Sequence, residues 1–154
     1  MIKEAVVGSA EEIAKVINKI LKKRFVLPVR VVMLSGHGAS NTVVLDDGKT
    51  ENILMAFNEK WLKSLSKIDP KAIVIFNTCS AGKKDENFRG HCIAEDTAKL
   101  SKKTIFASKC NVAGVIQIIN TARLVLERTD QDSDLYISAK FMAGNQDMTA
   151  VYAQ

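Results

Sequence analysis

Two stretches decide the fold: VVMLSGHG at Val31–Gly38 and IVIFNTCSAG at Ile73–Gly82. Each is a short apolar run that stops abruptly at small polar residues, the pattern of a strand buried on both faces of a parallel sheet. His37 comes just past the end of the first run, and Cys79 takes the same relative place after the second. Since neighbouring parallel strands end at the same sheet edge, this pattern predicts a thiol and an imidazole side by side at the edge where α/β proteins usually keep their active sites.

The elements around these stretches alternate between strands and helices. Apolar residues at helical spacing predict helices over Ala10–Lys23, Leu54–Leu65 and Ile93–Leu100. Ser9, with Glu12 three residues on, forms a capping box that starts the first helix. Strands are predicted over Ile2–Val7, Val29–Leu34, Ala72–Asn77 and Thr104–Ser108, and a hairpin over Val43–Leu45 and Thr50–Ile53. This order is typical of an open parallel sheet with right-handed crossovers.

The sequence also predicts the position of Trp61 and the structure of two further segments. Trp61 is predicted to lie in the core, and Ala81–Arg89 to form an exposed loop beside the strand ends. The final third of the chain contains short, partly alternating runs between turn residues, which predict strands that extend one sheet edge in an antiparallel sense. These runs are Val115–Ile119, Arg123–Leu126, Tyr136–Phe141 and Thr149–Tyr152. The stretch Val115–Leu126 also fits a helix, and that alternative stays open.

The composition fits one domain over residues 1–154. Hydrophobic residues make up 47% of the chain and charged residues 25%, which is ordinary for a globular protein and argues against disorder. The net charge of +5 fits solvated lysine-rich faces, or an anionic partner such as an acidic substrate or a polyphosphate activator. No RNA-binding aromatic motif or DNA-recognition helix stands out, so we do not expect nucleic acid as a partner.

The cysteine count bears on the compartment. Cys79, Cys92 and Cys110 are an odd number, which fits reduced thiols rather than a disulfide framework. No signal-peptide pattern opens the chain, and no apolar run approaches the about 20 residues that span a bilayer. We therefore expect a cytoplasmic protein without a membrane partner, or one exported by a dedicated secretion system into a host cytosol.

The residues around His37 and Cys79 suit nucleophilic catalysis. A cysteine attacks only as its thiolate, and a nearby imidazole can take the proton or stabilise the anion. Gly36 and Gly38 flank His37, so the backbone can turn sharply there. The Gly38 amide is an unhindered donor that could form an oxyanion hole with the Cys79 amide. The small residues 80–82 leave room for a substrate chain near the sulfur.

SGHG after one strand and NTCSAG after the next resemble the caspase-like (clan CD) cysteine peptidases. These include caspases, gingipains, clostripain, separase, CHAT-domain peptidases and the self-cleaving domain of large bacterial toxins. In that clan a histidine-glycine pair follows one apolar strand, and the catalytic cysteine follows the next. The resemblance covers roughly Val29–Cys110, and the spacing of about 40 residues from His37 to Cys79 is close to that of caspases. The pentapeptide around Cys79 is not the caspase one, so we expect a distant relative.

The resemblance implies a fold and a dyad. The fold is a three-layer α/β/α sandwich with a mainly parallel, caspase-like sheet, followed here by a strand-rich C-terminal third. The activity is cleavage of a peptide or protein substrate, with no cofactor. Residue by residue, His37 becomes the general base and acid and Cys79 the nucleophile, while the amides of Gly38 and Cys79 become the oxyanion donors.

Three residues are candidates for supporting roles. Ser35 and Asn77 could orient the dyad, or simply satisfy backbone groups. In the clan, the pocket for the residue before the scissile bond often draws on the first strand and on the segment after the strand that follows the cysteine. Here these are the residues around Ala5–Gly8 and Ser108–Val112, with Ser108 as the pocket candidate. No acidic pocket residue is evident, so the preferred substrate residue stays open.

Other kinds of site fit these residues less well. His91, Cys92, Cys110 and Cys79 invite a zinc site, but no CxxC or HxxxH pair is present, so we expect no metal. The stretch SGHGASN lacks the glycine pattern and the Lys-Ser/Thr ending of phosphate-binding loops. Two alternatives to a peptidase remain: a catalytically inactive caspase-like domain that acts as a protein-interaction module, and an unrelated α/β binding domain.

Overall fold

The computed structural model describes residues 3–23, 28–109, 116–120, 125–128 and 139–141. Its elements in chain order are α1 (Ala10–Leu21), β1 (Val31–Gly36), β2 (Gly38–Ala39), β3 (Thr42–Asp46), β4 (Glu51–Leu54), α2 (Glu59–Ser66), β5 (Ile73–Thr78), a 3₁₀ turn (Glu86–Phe88), α3 (Ile93–Ser101), β6 (Thr104–Ala107), β7 (Ile116–Asn120), β8 (Val125–Arg128) and β9 (Ala139–Phe141). Within these residues, no helix is both long and apolar enough to cross a membrane.

The main sheet has the strand order β1-β5-β6-β9. β1, β5 and β6 are parallel, and β9 runs antiparallel to β6. The predicted mixed α/β class with a mainly parallel sheet is thus confirmed. β5 is buried along nearly its whole length, as its unbroken apolar run requires. The prediction that β1 is equally buried was wrong, because β1 lies at the end of the strand order and its first three residues are only half-buried.

The core lies between the helices and one face of this sheet. Trp61 of α2 packs against Phe76 of β5 with ring centroids 6.3 Å apart, which confirms its predicted place in the core. α2 contacts both α1 and α3. The crossovers from β1 to β5 and from β5 to β6 step across the sheet in the same direction, and connections of one hand put α2 and α3 on the same face. The buried side chains of all three helices accordingly belong to one cluster with that face.

The opposite face of the sheet also carries apolar side chains. Met33, Ile75 and Phe106 are neighbours across β1, β5 and β6. Ile75 is fully buried and Phe106 nearly so, whereas Met33 on the end strand is half-buried. A side chain is shielded from water only where other atoms pack against it. This face of the sheet is therefore covered above β5, its central strand.

A second, antiparallel sheet of order β2-β3-β4 follows β1 directly. β3 and β4 pair in register, which confirms the predicted hairpin. Asp47 closes the turn, because its carboxylate accepts hydrogen bonds from the amides of Thr50 (2.7 Å) and Lys49 (2.8 Å). These hydrogen bonds hold the pKa of the Asp47 carboxyl below its usual range, and the bond from the Thr50 amide has the largest effect.

α1 begins as predicted. Ser9 Oγ accepts a hydrogen bond from the Glu12 amide (3.3 Å), and the Glu12 carboxylate accepts one from the Gly8 amide (2.6 Å). The capping box therefore satisfies two backbone donors at the helix start. The helix ends at Leu21, two residues before its predicted bound, and turns one apolar face to the core through Ala10, Ile13 and Ile17.

The predicted strand over Ile2–Val7 was wrong. Residues 3–7 form no strand, and Val6 is 77% exposed. The segment is instead tied to the hairpin, where Asn52 Nδ2 donates to the Gly8 carbonyl over 2.7 Å. The three apolar residues after Lys3 and Glu4 form too short a run to bury a strand face, so local β propensity alone does not produce a strand here.

The second helix starts later than predicted. Leu54 ends β4, and α2 begins at Glu59 after the cap residue Asn58, whose Oδ1 accepts from the Trp61 amide (3.2 Å). Phe57 precedes the cap and is 66% exposed. The helical spacing of Leu54 and Phe57 with Trp61 was therefore coincidental, because an asparagine side chain that caps the backbone favours a helix start over a helix interior.

The remaining predicted elements stand as follows. α3 and β6 lie where they were predicted. β7 and β8 form an antiparallel pair, which agrees with the strand alternative for these described residues. That the C-terminal third is rich in strands stays a prediction. The antiparallel extension of the sheet edge is supplied by β9. The predicted run Thr149–Tyr152 and Cys110 lie outside the described residues. That the chain forms one domain stays a prediction.

Candidate active site

The ends of β1 and β5 bring the two predicted catalytic residues to one sheet edge. The last register pair of these parallel strands is Gly36 opposite Thr78. His37 and Cys79 are the next residue in each chain, and neighbouring strands lie about 4.8 Å apart. His37 is exposed and Cys79 is half-buried. Both are thus placed at the C-terminal edge of the sheet, where the sequence pattern had predicted them.

His37 stands at the junction of the two sheets. Gly36 ends β1 with φ +153°, a backbone conformation that other residues rarely adopt. The chain then leaves β5 and joins β3, where the His37 carbonyl accepts from the Val44 amide over 2.9 Å. The backbone of His37 is therefore held by a hydrogen bond just past the strand end.

Gly38 brings the His37 loop against the residue before Cys79. A Cβ atom at position 38 would lie 2.9 Å from the Cβ atom and 2.9 Å from the Oγ1 atom of Thr78, closer than Cβ contacts in proteins allow. Gly38 lies opposite Val43, and the Val44 amide donates to the His37 carbonyl. Hydrogen-bonded and non-hydrogen-bonded pairs alternate along an antiparallel ladder, so Gly38 and Val43 form a non-hydrogen-bonded pair. The Gly38 N–H consequently points away from β3, as an oxyanion donor would require.

The chain turns sharply directly after Cys79. Ser80 has φ +57°, the left-handed conformation that costs energy for a residue with a Cβ. The Ser80 carbonyl accepts from the Lys83 amide over 2.9 Å, which closes the turn. Strained backbone of this kind is often found at functional sites, where the surrounding structure holds it in place.

Two hydrogen bonds from distant elements hold this loop. The Gly82 amide donates to the Ser108 carbonyl (2.8 Å) at the end of β6, and the Ala94 amide donates to the Ala81 carbonyl (3.1 Å) from the first turn of α3. Ala81 and Gly82 are buried, which corrects the prediction of a wholly exposed loop for Ala81–Arg89. The burial follows from these two anchors, which pull the loop onto β6 and α3.

The three supporting candidates have different surroundings. Ser35 and Asn77 lie opposite each other on β1 and β5, and Asn77 Nδ2 donates to Ser35 Oγ over 3.2 Å. Asn77 Oδ1 and Thr78 Oγ1 are buried without a hydrogen-bond partner among the described residues. Ser108 is fully buried and supports the Cys79 loop through its carbonyl. In Ala5–Gly8, the other predicted pocket segment, Gly8 lies against the hairpin turn at Asp47 and Thr50, and no residue of the segment lines the cleft described next.

A cleft of about 630 Å³ adjoins the two strand ends. We call it the polar cleft. Gly38 and Ser80, the residues after His37 and Cys79, contribute to its wall. The complete lining is Gly38, Ala39, Ser40, Ser80, Lys83, Lys84, Asp85, Glu86 and Asn87. Neither His37 nor Cys79 lines the cleft itself, which begins one residue past each of them.

The chain has no match in the comparisons with known family models, curated proteins and solved structures. The caspase-like resemblance therefore stays a prediction. It rests on the sequence motifs around His37 and Cys79.

Cys92 differs from Cys79 in its surroundings. It is fully buried at the start of α3, and burial, followed by the nearby Glu95 carboxylate, raises the pKa of its thiol to about 11. At neutral pH the Cys92 thiol is therefore protonated and inert as a nucleophile. Among the described residues, no group of three or more His, Cys, Asp or Glu side chains is placed to hold a metal ion.

Two side-chain pairings near the cleft were not predicted from the sequence. Glu95 is only 3% exposed, and its carboxylate pairs with Lys99 (3.0 Å) and with Lys84 of the cleft wall (3.5 Å). His91 Nδ1 lies 2.8 Å from Asp96 Oδ1. The i, i+4 spacing of Glu95 and Lys99 is a recognisable sequence signal. The contact with Lys84 has no such signal, because it joins a loop to a helix.

Proposed function

We propose that the chain is a cysteine peptidase that hydrolyses peptide bonds with a dyad of Cys79 and His37. The observation that carries the proposal is the register of β1 and β5, whose last pair, Gly36 and Thr78, directly precedes both residues. A thiol and an imidazole at adjacent strand ends, beside a cleft, suit acyl transfer. The substrate is a peptide or protein, and the reaction uses no cofactor.

In the proposed reaction, His37 takes the proton of the Cys79 thiol, and the sulfur attacks the carbonyl carbon of the scissile bond. The oxyanion that forms accepts hydrogen bonds from the amides of Gly38 and Cys79. His37 then gives its proton to the leaving amine, the C–N bond breaks, and an acyl thioester remains on Cys79. Water deprotonated by His37 hydrolyses the thioester, which releases the acid product and restores the thiol.

We also propose that the fold is a three-layer α/β/α sandwich. Burial of Ile75 on the face of the sheet opposite α2 and α3 supports a covering layer there. Two covered faces suit a mainly parallel sheet, whose strands usually read as continuous apolar runs. They would also hold the C-terminal ends of β1 and β5 rigidly, as a catalytic pair requires.

Two measurements test the peptidase proposal: thiol alkylation by iodoacetamide, followed residue by residue by mass spectrometry, and cleavage of a peptide library. We expect Cys79 to alkylate much faster than Cys92, and His37→Ala to slow that reaction. We expect Cys79→Ala to abolish cleavage. His91→Ala is the matched control, because His91 is the only other histidine in the chain and it is bonded to Asp96; it should leave the alkylation of Cys79 unchanged.

Equal alkylation rates for Cys79 and Cys92, together with an uncut library, would contradict the peptidase proposal. That result would favour the inactive protein-interaction module. The library is screened with and without polyphosphate, because the net charge of +5 motivates an anionic activator. Cleavage that appears only with polyphosphate would support both the dyad and the activator.

A further inference from the structure

A second cavity, of about 310 Å³, is lined partly by residues in the segment 87–91, farther along the chain from Cys79. We call it the apolar pocket. Its apolar lining comes from the segment between β4 and α2 and from the start of α3: Met55, Ala56, Phe57 and Ile93. Its polar lining is Asn41, Asn87, Arg89, His91 and Asp96. The volume is at the low end of the ~300–1,000 Å³ range of ligand sites, which suits one side chain better than a whole cofactor.

The apolar pocket and the polar cleft share one wall residue. Asn87 lines both cavities. Ser40 of the polar cleft and Ile93 of the apolar pocket are joined by a short hydrogen bond, in which the Ile93 amide donates to the Ser40 carbonyl over 2.6 Å. The two cavities are therefore adjacent, with Asn87 between them.

The chemistry of the two cavities differs. Charged and small polar residues dominate the polar cleft, which gives an apolar side chain little to contact. The apolar pocket contains the thioether of Met55 and the aromatic ring of Phe57. The Phe57 side chain is 66% exposed, although large apolar side chains are usually covered. Asn41 and Asn87 on its wall each carry one acceptor and two donor hydrogens, the groups that a peptide backbone can bond.

We propose that the apolar pocket is a substrate subsite that takes one bulky apolar side chain of an extended peptide held in the polar cleft. This inference rests on the proposed peptidase function, and it deepens that function by naming a substrate class. The substrate has a large apolar residue, such as Phe, Leu or Met, at a position other than the residue before the scissile bond. The His91–Asp96 pair stiffens the polar side of the pocket, and Phe57 becomes covered when the side chain enters.

A positional library of hexapeptides tests the subsite. With the wild-type chain we expect selection for bulky apolar residues at one fixed position away from the scissile bond. Phe57→Ala should lower kcat/KM for peptides with Phe at that position roughly tenfold, and leave peptides with Ala there nearly unchanged. Leu100→Ala is the matched control, since Leu100 is also an exposed apolar residue (53%) but lines neither cavity.

Binding to the inactive Cys79→Ala chain separates this inference from the proposed function. Fluorescein-labelled hexapeptides with Phe or Ala at each position in turn are titrated against Cys79→Ala and against the double variant Cys79→Ala/Phe57→Ala. If the Cys79→Ala chain prefers Phe at one position, and the added Phe57→Ala substitution removes that preference, the subsite is supported even if no peptide is cut. Equal binding of Phe and Ala peptides at every position overturns the subsite, whereas cleavage without such a preference leaves the peptidase proposal standing and rejects this one.

Discussion

Gly38 sets the distance between the two loops of the candidate active site. Its backbone lies against the side chain of Thr78, and a Cβ atom would come within 2.9 Å of Thr78 Cβ. The glycine after His37 is therefore required by close approach as well as by the turn. Its neighbour in sequence, Gly36, is required for a different reason, because its φ of +153° is one that residues with a Cβ rarely adopt.

Gly38→Ala should both destabilise the chain and disturb the site. Overpacking of this kind costs about 1–3 kcal/mol in the free energy of unfolding, and it should slow alkylation of Cys79, because the His37 loop must move away from β5. Gly48→Ala is the control. Gly48 has a positive φ (+81°), which Gly38 does not, and nothing lies within 4 Å of an added Cβ. The control should lose about 1–2 kcal/mol from backbone strain alone. A Gly38→Ala chain with unchanged Cys79 reactivity would contradict this account.

Cys92 predicts a pH dependence of stability. Burial raises the pKa of its thiol to about 11 in the folded chain, against 9.0 for a thiol in the unfolded chain. Below pH 9 the thiol is protonated in both states, so its contribution to the free energy of unfolding is fully present. Between pH 9 and 11 only the unfolded chain ionises, so that contribution is lost, by at most about 1–3 kcal/mol. Urea denaturation at pH 8 and at pH 10.5 measures the loss.

The control for this dependence is Cys92→Ala, which has no thiol to ionise. Other groups that titrate above pH 9 are the same in both chains, so only the difference between their alkaline losses reports on Cys92. We expect the wild-type chain to lose more stability than the variant does. Equal losses would mean that the Cys92 thiol is as accessible to solvent in the folded chain as in the unfolded one.

At the scale of the element, α2 shows how a side-chain cap decides where a helix starts. Asn58 Oδ1 accepts from the Trp61 amide, so the helix begins at Glu59 and not at Leu54. The cap places Trp61 in the first turn, from which its ring reaches Phe76 of β5. This anchor lies in the connection between the strands that carry His37 and Cys79.

Asn58→Ala should lower the free energy of unfolding by about 1 kcal/mol, because the Trp61 amide loses its acceptor. Asn58→Asp keeps an acceptor oxygen at the cap and should stay close to the wild type. Urea denaturation compares the three chains. Equal losses for the two variants would show that the cap is not the source of the stabilisation.

At the scale of the whole molecule, the two faces of the sheet are both closed to solvent above β5. Helices cover one face, and the burial of Ile75 and Phe106 shows that the other is covered too. The site is built where this sheet ends, from β1, β5 and β6 together with the start of α3. Its loops are held by backbone hydrogen bonds from three separate elements, namely the bonds at Val44, Ser108 and Ala94.

Ile75→Ala should cost about 2–5 kcal/mol in the free energy of unfolding if a full layer covers the second face, since a fully buried side chain leaves a cavity there. Met33→Ala is the control on the same face. Met33 lies opposite Ile75 on the half-buried end strand, so its truncation should cost clearly less. Thermal and urea denaturation of both variants measure the difference. Similar, small losses would contradict the three-layer proposal.

The sequence by itself determined the parts of this protein that depend on local pattern. The apolar runs of β1, β5 and β6, the capping box of Ser9 and Glu12, and the Asp-Gly turn each predict their element, because strand burial, helix caps and hairpin turns depend on residues close together in the chain. The placement of His37 and Cys79 at one sheet edge followed as well, since parallel strands end together.

Only the tertiary structure decided what depends on contacts between distant residues. The hydrogen bond from Asn52 holds Gly8 against the hairpin, and residues 3–7 form no strand. The ion pair of Lys84 with Glu95 joins the loop after β5 to α3. Asn87 of the same loop lines both cavities. No periodicity in the chain encodes such contacts, because they arise only when the sheet and its crossovers bring these segments together.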